Sequence, residues 1–553
     1  MDFKRSIAAL ACVLALAGCV SAPREPSGVT HASFWHSREA YEDFYDTNTA
    51  RDVATIAETV DGMVLPHHLF VGHEIARAYN ALSDQRPSVV VVIGPNHFDQ
   101  GKNDIQTTDG TFETPYGALE PDTRIIDGLV AKGLARIEPA TFEGEHSISV
   151  HVAFIKKTFP DATVVPLALQ IGARPERMDE LAAALDESLP PDALVIASVD
   201  FSHYLRADVA AFHDAYSHAA IEHFSFDDVA RLEIDSPESI RALLKYLEKR
   251  KSRRIAYDRH TNSADFTVGI PPAETTSHFF LAFAKGKPVD TPFATVQFFG
   301  DTIVGRGIAR MIDEGVDPLR EIRGTEDRFF RGATVGVVNL EGPITERTPR
   351  VEKPVLFAFK KRQTLGVLKT MDVRVANVAN NHAGDAGKEG LADTIDALSA
   401  AKLIVAGAPD PCVVVPIVRG SMAVCSFTDI HGFLEAGDVA DAIAGVRADV
   451  DFVLVSLHWG VEYDAEPLEE QRAKARAIIA AGADAIVGHG PHVVQPLEWI
   501  DGKPVYYSIG NFLFDQPDPA LSGGEVATIT FSGSGITATS FPINTTTGDL
   551  RLR

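Results

Sequence analysis

A chain of 553 residues exceeds what one ordinary hydrophobic core serves and predicts two or more domains. Its 45% hydrophobic and 23% charged content is that of a folded globular protein and excludes a disordered chain. With 76 acidic against 51 basic residues, a formal net charge of -25, it is ill suited to nonspecific nucleic-acid binding; neutral, cationic or metal-bridged partners are favoured.

At the N-terminus, Lys4 and Arg5 precede an apolar run over residues 7–17. The run is too short to span a membrane as a mature helix and reads as an export signal. It ends in Leu16-Ala17-Gly18-Cys19, which resembles a bacterial lipobox. That resemblance implies cleavage after residue 19's predecessor and lipidation of Cys19. The product would be a membrane-anchored lipoprotein on the periplasmic side or in the outer membrane; no Asp follows Cys19, so inner-membrane retention is not indicated. The alternative is an ordinary secretory signal with an incidental cysteine. Residues 20–50, rich in Ser, Pro, Arg and Glu, read as a tether leading to a first helix. No later stretch is long and apolar enough for a transmembrane helix.

Over residues 51–286 apolar strands alternate with helical patterns. Strands are predicted at 88–94, 162–171, 193–199 and 277–284, and helices at 73–83, 177–189, 209–224 and 237–250. The alternation predicts a largely parallel sheet covered by helices. Three apolar runs end in imidazole: Pro66-His67-His68, Gly94-Pro95-Asn96-His97 and Asp200-Phe201-Ser202-His203. Converging His67, His97 and His203 form a possible second metal site for Fe, Cu or Zn, with Asp200 orienting a ligand. Glu145-His146-Ser147 is a further polar cluster. These strings, with Thr114-Pro115-Tyr116-Gly117, resemble the Memo family, also called AmmeMemoRadiSam system protein B. The resemblance implies a fold shared with extradiol dioxygenases and places His67, His97 and His203 at the metal. The Cys-Gly motif of that family is absent: residues 257–264 contain no cysteine, and His68 or His260 is the alternative donor. A domain that keeps the fold with altered chemistry is the competing reading.

Gly286 to Pro292 breaks the pattern and marks a boundary, after which alternation resumes over 292–540. Helices are predicted at 308–314, 361–370, 387–401 and 468–481. Cys412 and Cys425 lie in one short apolar region, either as a disulfide or as two buried small residues. Here five strand ends carry only Asp, Glu, Asn and His: Gly300-Asp301, Asn339-Leu340-Glu341, Asn380-Asn381-His382, His458-Trp459-Gly460 and Gly488-His489-Gly490-Pro491-His492. Carboxyl ends of strands form the ligand-binding crevice of open α/β sheets. Asp301, Glu341, Asn381, His458, His489 and His492 are the donor types that hold Mn, Fe or Zn, often as a pair sharing a carboxylate such as Glu341. His382 is then placed to give a proton rather than to bind metal. Any one of these residues alone reads as a cap or a turn; five together do not. Lys353-Pro354 with Phe357 and Phe359, and Glu462-Tyr463, are either substrate contacts or a surface β-segment and a polar turn.

Together with Tyr507-Ser508-Ile509-Gly510-Asn511-Phe512, these motifs resemble the CapA family of poly-γ-glutamate capsule synthesis, related to calcineurin-like metallophosphoesterases. The resemblance implies the six metal ligands above and His382 as the catalytic imidazole. The His that those phosphoesterases carry two positions after the first Asp is absent, since Thr302-Ile303 follow Asp301. The expected fold is therefore α/β, an extradiol-dioxygenase-like Memo domain followed by a metallophosphoesterase-like CapA domain. The leading expectation is a membrane-tethered metal-dependent hydrolase acting on a phosphoester or on envelope or capsule polymer. The alternatives are a noncatalytic polymer-assembly factor that binds an anionic polymer, and a metal-handling lipoprotein.

Overall fold

The computed structural model describes residues 28–46, 53–266, 274–348, 352–430, 434–516, 518, 521–546 and 550–553. Cys19 and the predicted signal lie outside the described residues. Within the predicted tether, Thr30–Ala32 pairs in parallel with Thr111–Thr114, and the helix Arg38–Tyr45 buries Tyr41 and Tyr45. Two aromatic anchors four positions apart give that helix one apolar face, so residues 28–46 pack onto the first domain rather than standing off it.

The first domain is built on a nine-stranded sheet. Its centre is parallel: Val60–Leu65, Leu194–Ser198, Val89–Pro95 and Thr163–Leu169 lie side by side. These runs are apolar at nearly every position because helices cover both faces. The margins depart from the expected parallel pattern. Thr275–Ala284 runs antiparallel to Val60–Leu65, and Ile105–Thr107 antiparallel to Thr163–Leu169. Among the covering helices, Pro237–Arg250 starts on Ser236, whose hydroxyl accepts from the Ser239 amide, with Pro at its first position.

The second domain holds two sheets rather than one. The first runs Ile404–Ala406, Val373–Asn377, Val335–Leu340, Ala294–Thr302, Gly523–Ser532 and Gly535–Asn544, the last two an antiparallel hairpin. The second contains Gly420–Thr428, Phe452–His458, Ala485–His489 and Lys503–Tyr506 in parallel. Phe298, Val337 and Val375 of one face pack against Val424, Leu454 and Val487 of the other. Both sheets therefore point their parallel carboxyl ends toward one edge of the sandwich. Cys412 and Cys425, directly opposite on adjacent antiparallel strands, form a disulfide.

The helix Ala207–Glu222 ties the domains together. Val209, Ala210 and Phe212 share one core with Phe299, Phe330, Val338 and Phe541. Buried Glu233 accepts from Arg328 at 2.6 Å, and Arg231 pairs with Asp372 at 3.2 Å. Gly332 lies flat on the buried ring of His213, where an added Cβ would come 1.6 Å from the ring carbon Cδ2. Gly332→Ala is therefore expected to destabilise the chain by about 3 kcal/mol, as overpacked cores do. Equilibrium unfolding in denaturant measures it, and an unchanged midpoint would mean that this contact does not hold the domains together.

Candidate metal centres

At the sandwich edge Asp301 ends one strand of the first sheet, and Glu341 follows another. His458 and His489 end neighbouring strands of the second sheet, paired with each other in register. The turn after His489 folds back through Gly490, whose φ is 109°. A Cβ there would lie 2.8 Å from the Trp459 carbonyl oxygen, so glycine is required for His492 to reach the edge. His492 itself holds a left-handed φ of 59°, a conformation seldom kept without a reason.

Asp301, Glu341 and His492 bring their ligand atoms within 4.8 Å of one another. His492 Nδ1 stands 3.0 Å from Asp301 Oδ2, and His492 Nε2 stands 3.6 Å from Glu341 Oε1. His489 Nδ1 lies 3.6 Å from Asp301 Oδ1, and His458 Nε2 lies 3.9 Å from Glu341 Oε1. Asn339 donates to Asp301 Oδ1 at 2.7 Å and fixes that carboxylate. Both carboxylate oxygens of Glu341, both ring nitrogens of His489 and Asn381 Oδ1 are buried without a hydrogen-bond partner among the described residues. Buried polar atoms are rarely left so, and a set made only of acceptors and imidazoles fits a cation.

The electrostatics agree. Burial lowers the His458 and His489 imidazoles to about 3 and 4, so both are neutral and carry the lone pair a metal requires. Burial also opposes charge on His492, but Glu341 and Asp301 overcome it and hold its pKa up at about 10. Burial, then the neighbouring Asp301, pushes Glu341 well above the usual carboxylate range. Glu341 and His492 thus gather protons that a cation would displace, while Asp301 stays charged.

His382 stands apart from that cluster. Its Nδ1 lies 2.7 Å from Asp385 Oδ2, and its ring packs 4.3 Å from the Phe357 ring. Asp385 is fully buried and also accepts from the Phe357 amide at 2.9 Å and from Lys353 Nζ at 3.1 Å. With Nδ1 engaged, Nε2 is the nitrogen left for a ligand. Phe357 and Phe359, 3% and 1% exposed, are therefore not on a surface segment. They close the site behind His382, while Tyr463 is half exposed with its ring 6.2 Å from His492. Asp385 was legible only as the acid three residues after His382, a spacing that places both in one turn.

In the first domain two donor groups meet at His67: His67 with His97 and His146, and His67 with Asp200 and Asp235. His97 Nδ1 is held by Glu145 at 2.8 Å and stacks on His146 at 4.2 Å. His67 Nε2 lies 3.2 Å from Asp235 and 3.6 Å from Asp200. His203 belongs to neither group. It lines the same cavity, but its strand Phe201–Leu205 pairs irregularly on both sides of it. His68 stacks on His278 at 5.8 Å, and His260 is engaged by Asp214 at 2.9 Å. His146, which opens the helix His146–Thr158, takes the place expected of a strand-end histidine. The cavity, about 1280 Å³, also takes Arg328, Arg331 and Lys369 from the second domain.

Residues 295–516 match the family described as bacterial capsule synthesis protein PGA_cap, and residues 31–270 match the Memo-like protein family. The "PGA biosynthesis protein CapA" of Bacillus subtilis is 33% identical over 255 residues, covering 42% of this chain and 66% of that protein. The "Capsule biosynthesis protein CapA" of Bacillus anthracis is 30% identical over 264 residues, covering 42% and 63%. This chain thus spans slightly less than two-thirds of the CapA relatives' length. A "MEMO1 family protein" of Caldivirga maquilingensis is 29% identical over 236 residues, covering 40% of this chain and 83% of that one. The chain therefore joins an N-terminal Memo-like domain to a C-terminal domain of the bacterial capsule synthesis PGA_cap family.

Proposed function

We propose that the C-terminal domain is a metal-dependent hydrolase acting on a phosphoester or on envelope or capsule polymer material related to poly-γ-glutamate. The observation that carries this reading is the buried Asp301–Glu341–His492 cluster, with its unpartnered acceptors, beside the His382–Asp385 pair. Asp301, Glu341, Asn381, His458, His489 and His492 would hold divalent Mn, Fe or Zn, as a pair bridged by Glu341. When bound, such ions supply a nucleophile at neutral pH and neutralise charge on the reacting phosphoryl group. His382 presents Nε2 to the leaving oxygen, and Asp385 fixes the orientation of the ring through Nδ1.

The first domain would hold Fe or Cu at His67, His97 and His146, with His203 on the wall of the same cavity. The chain would be exported and tethered through a lipid on Cys19, and its charge of -25 disfavours nucleic acid as a partner. A second reading, a noncatalytic assembly factor that binds an anionic polymer through the metal, is favoured by Thr302-Ile303 standing where phosphoesterases carry a ligand His.

Turnover of a phosphomonoester and phosphodiester panel by the manganese-loaded full chain separates the two. The hydrolase reading expects turnover that a chelator abolishes and manganese restores. Tight polymer binding without turnover of any phosphoester would favour the assembly factor.

A further inference from the structure

We propose that Arg306 forms an anion subsite at the mouth of the C-terminal centre. It receives a second oxyanion, phosphate or carboxylate, of a ligand whose first oxyanion lies at the buried cluster. This deepens the reading above and rests on it. Arg306 opens the helix Arg306–Asp313 directly after the loop from Asp301, with a left-handed φ of 47°. A non-glycine residue keeps that conformation only where its surroundings impose it. Both flanking glycines are closely packed. A Cβ on Gly305 would lie 3.0 Å from the Phe359 ring, and one on Gly307 would lie 2.9 Å from Asp515 Oδ2.

The guanidinium sits 5.0 Å from the Phe357 ring centre and 5.6 Å from that of Phe514. Phe357 packs on His382 at 4.3 Å, and Phe514 packs on His492 at 5.0 Å. Arg306 is thus one ring away from both the proposed acid and a ligand of the buried cluster. Asp515 takes Nε at 2.9 Å and also Nη2, which locks the plane of the guanidinium. Nη1 has no partner among the described residues, and the side chain is 38% exposed. An arginine needed only to pair with Asp515 has no use for two stacked rings and an open donor edge. A planar guanidinium held by its neighbours and open on one edge is suited to an oxyanion.

Binding isotherms on the manganese-loaded full chain test this with three ligands whose C–P bonds resist hydrolysis. Propylphosphonate carries one oxyanion, 3-phosphonopropionate adds a carboxylate, and propane-1,3-bisphosphonate adds a second phosphonate. At least one of the two ligands with two anionic groups is expected to bind about tenfold more tightly than propylphosphonate, the size of one charge-assisted contact. Which one does identifies the second group. Arg306→Gln is expected to erase the preference and leave propylphosphonate unchanged, and Arg306→Lys to retain part of it. No preference in the natural chain, or a parallel loss of propylphosphonate in Arg306→Gln, overturns the subsite. Propylphosphonate binding without preference leaves the hydrolase reading standing. An Arg306-dependent preference with no propylphosphonate binding does the reverse.

Discussion

A His382→Gln variant is expected to lose phosphoester turnover by about 10²–10⁴-fold, the range for removing a positioned general acid, while its metal content stays unchanged. The reason is the division of labour at the sandwich edge. His382 is held by Asp385 and Phe357, and it is not part of the group formed by Asp301, Glu341 and His492. Glutamine fills much of the same space but has no titratable proton to give to the leaving oxygen. Asp385 keeps Lys353 and the Phe357 amide as partners, so the buried carboxylate is not stranded. Turnover and metal content measured on the same sample check this. Full turnover would remove His382 from the chemistry, and loss of metal with turnover would make it a ligand instead.

Glu341→Gln is expected to act in the opposite order, removing metal first and turnover as a consequence. Glu341 is fully buried at the centre of the cluster, with both oxygens unpartnered. Outer-shell substitutions typically cost 10–100-fold in metal affinity, so loss of a bridging carboxylate is expected to exceed about 100-fold. The amide matches the carboxylate in shape, so packing around Leu340 and Ile344 is retained and the metal-free variant remains folded. Metal titration followed by competition with a chelator measures the affinity, and circular dichroism checks the fold. Unaltered affinity would mean that Glu341 is not a bridge.

How much of this was legible in the sequence depends on where each residue sits. Strand ends were readable because an apolar run such as Phe452 to Val455 is followed within three residues by His458. The helix over 361–370 was readable with the same bounds as the observed Lys361–Thr370, because its apolar positions keep helical spacing. That the five C-terminal strand ends belong to two stacked sheets was not readable. Alternation of strand and helix states that strands are parallel but not which sheet each joins. Nor does it announce the antiparallel hairpin from Gly523–Ser532 to Gly535–Asn544 or the antiparallel margins of the first sheet.

In the first domain the eye follows strand-end histidines, and His203 is one. The irregular pairing around it leaves it on the cavity wall, while His146 arrives from the start of a helix. Glu145 gave a hint, since an acid before a helix is a common cap; here its carboxylate accepts from the Ser147 amide and also holds His97. Phe357 was open to reading as a substrate contact or as part of a surface segment because its burial depends on Asp385 and His382, which are remote in sequence.

Anomalous scattering from crystals of the full chain grown with manganese tests whether the sandwich edge is a metal centre. The expected result is an anomalous peak enclosed by Asp301, Glu341 and His492, reached also by His458 or His489. Manganese bound elsewhere on the chain with no peak inside that cluster would contradict it.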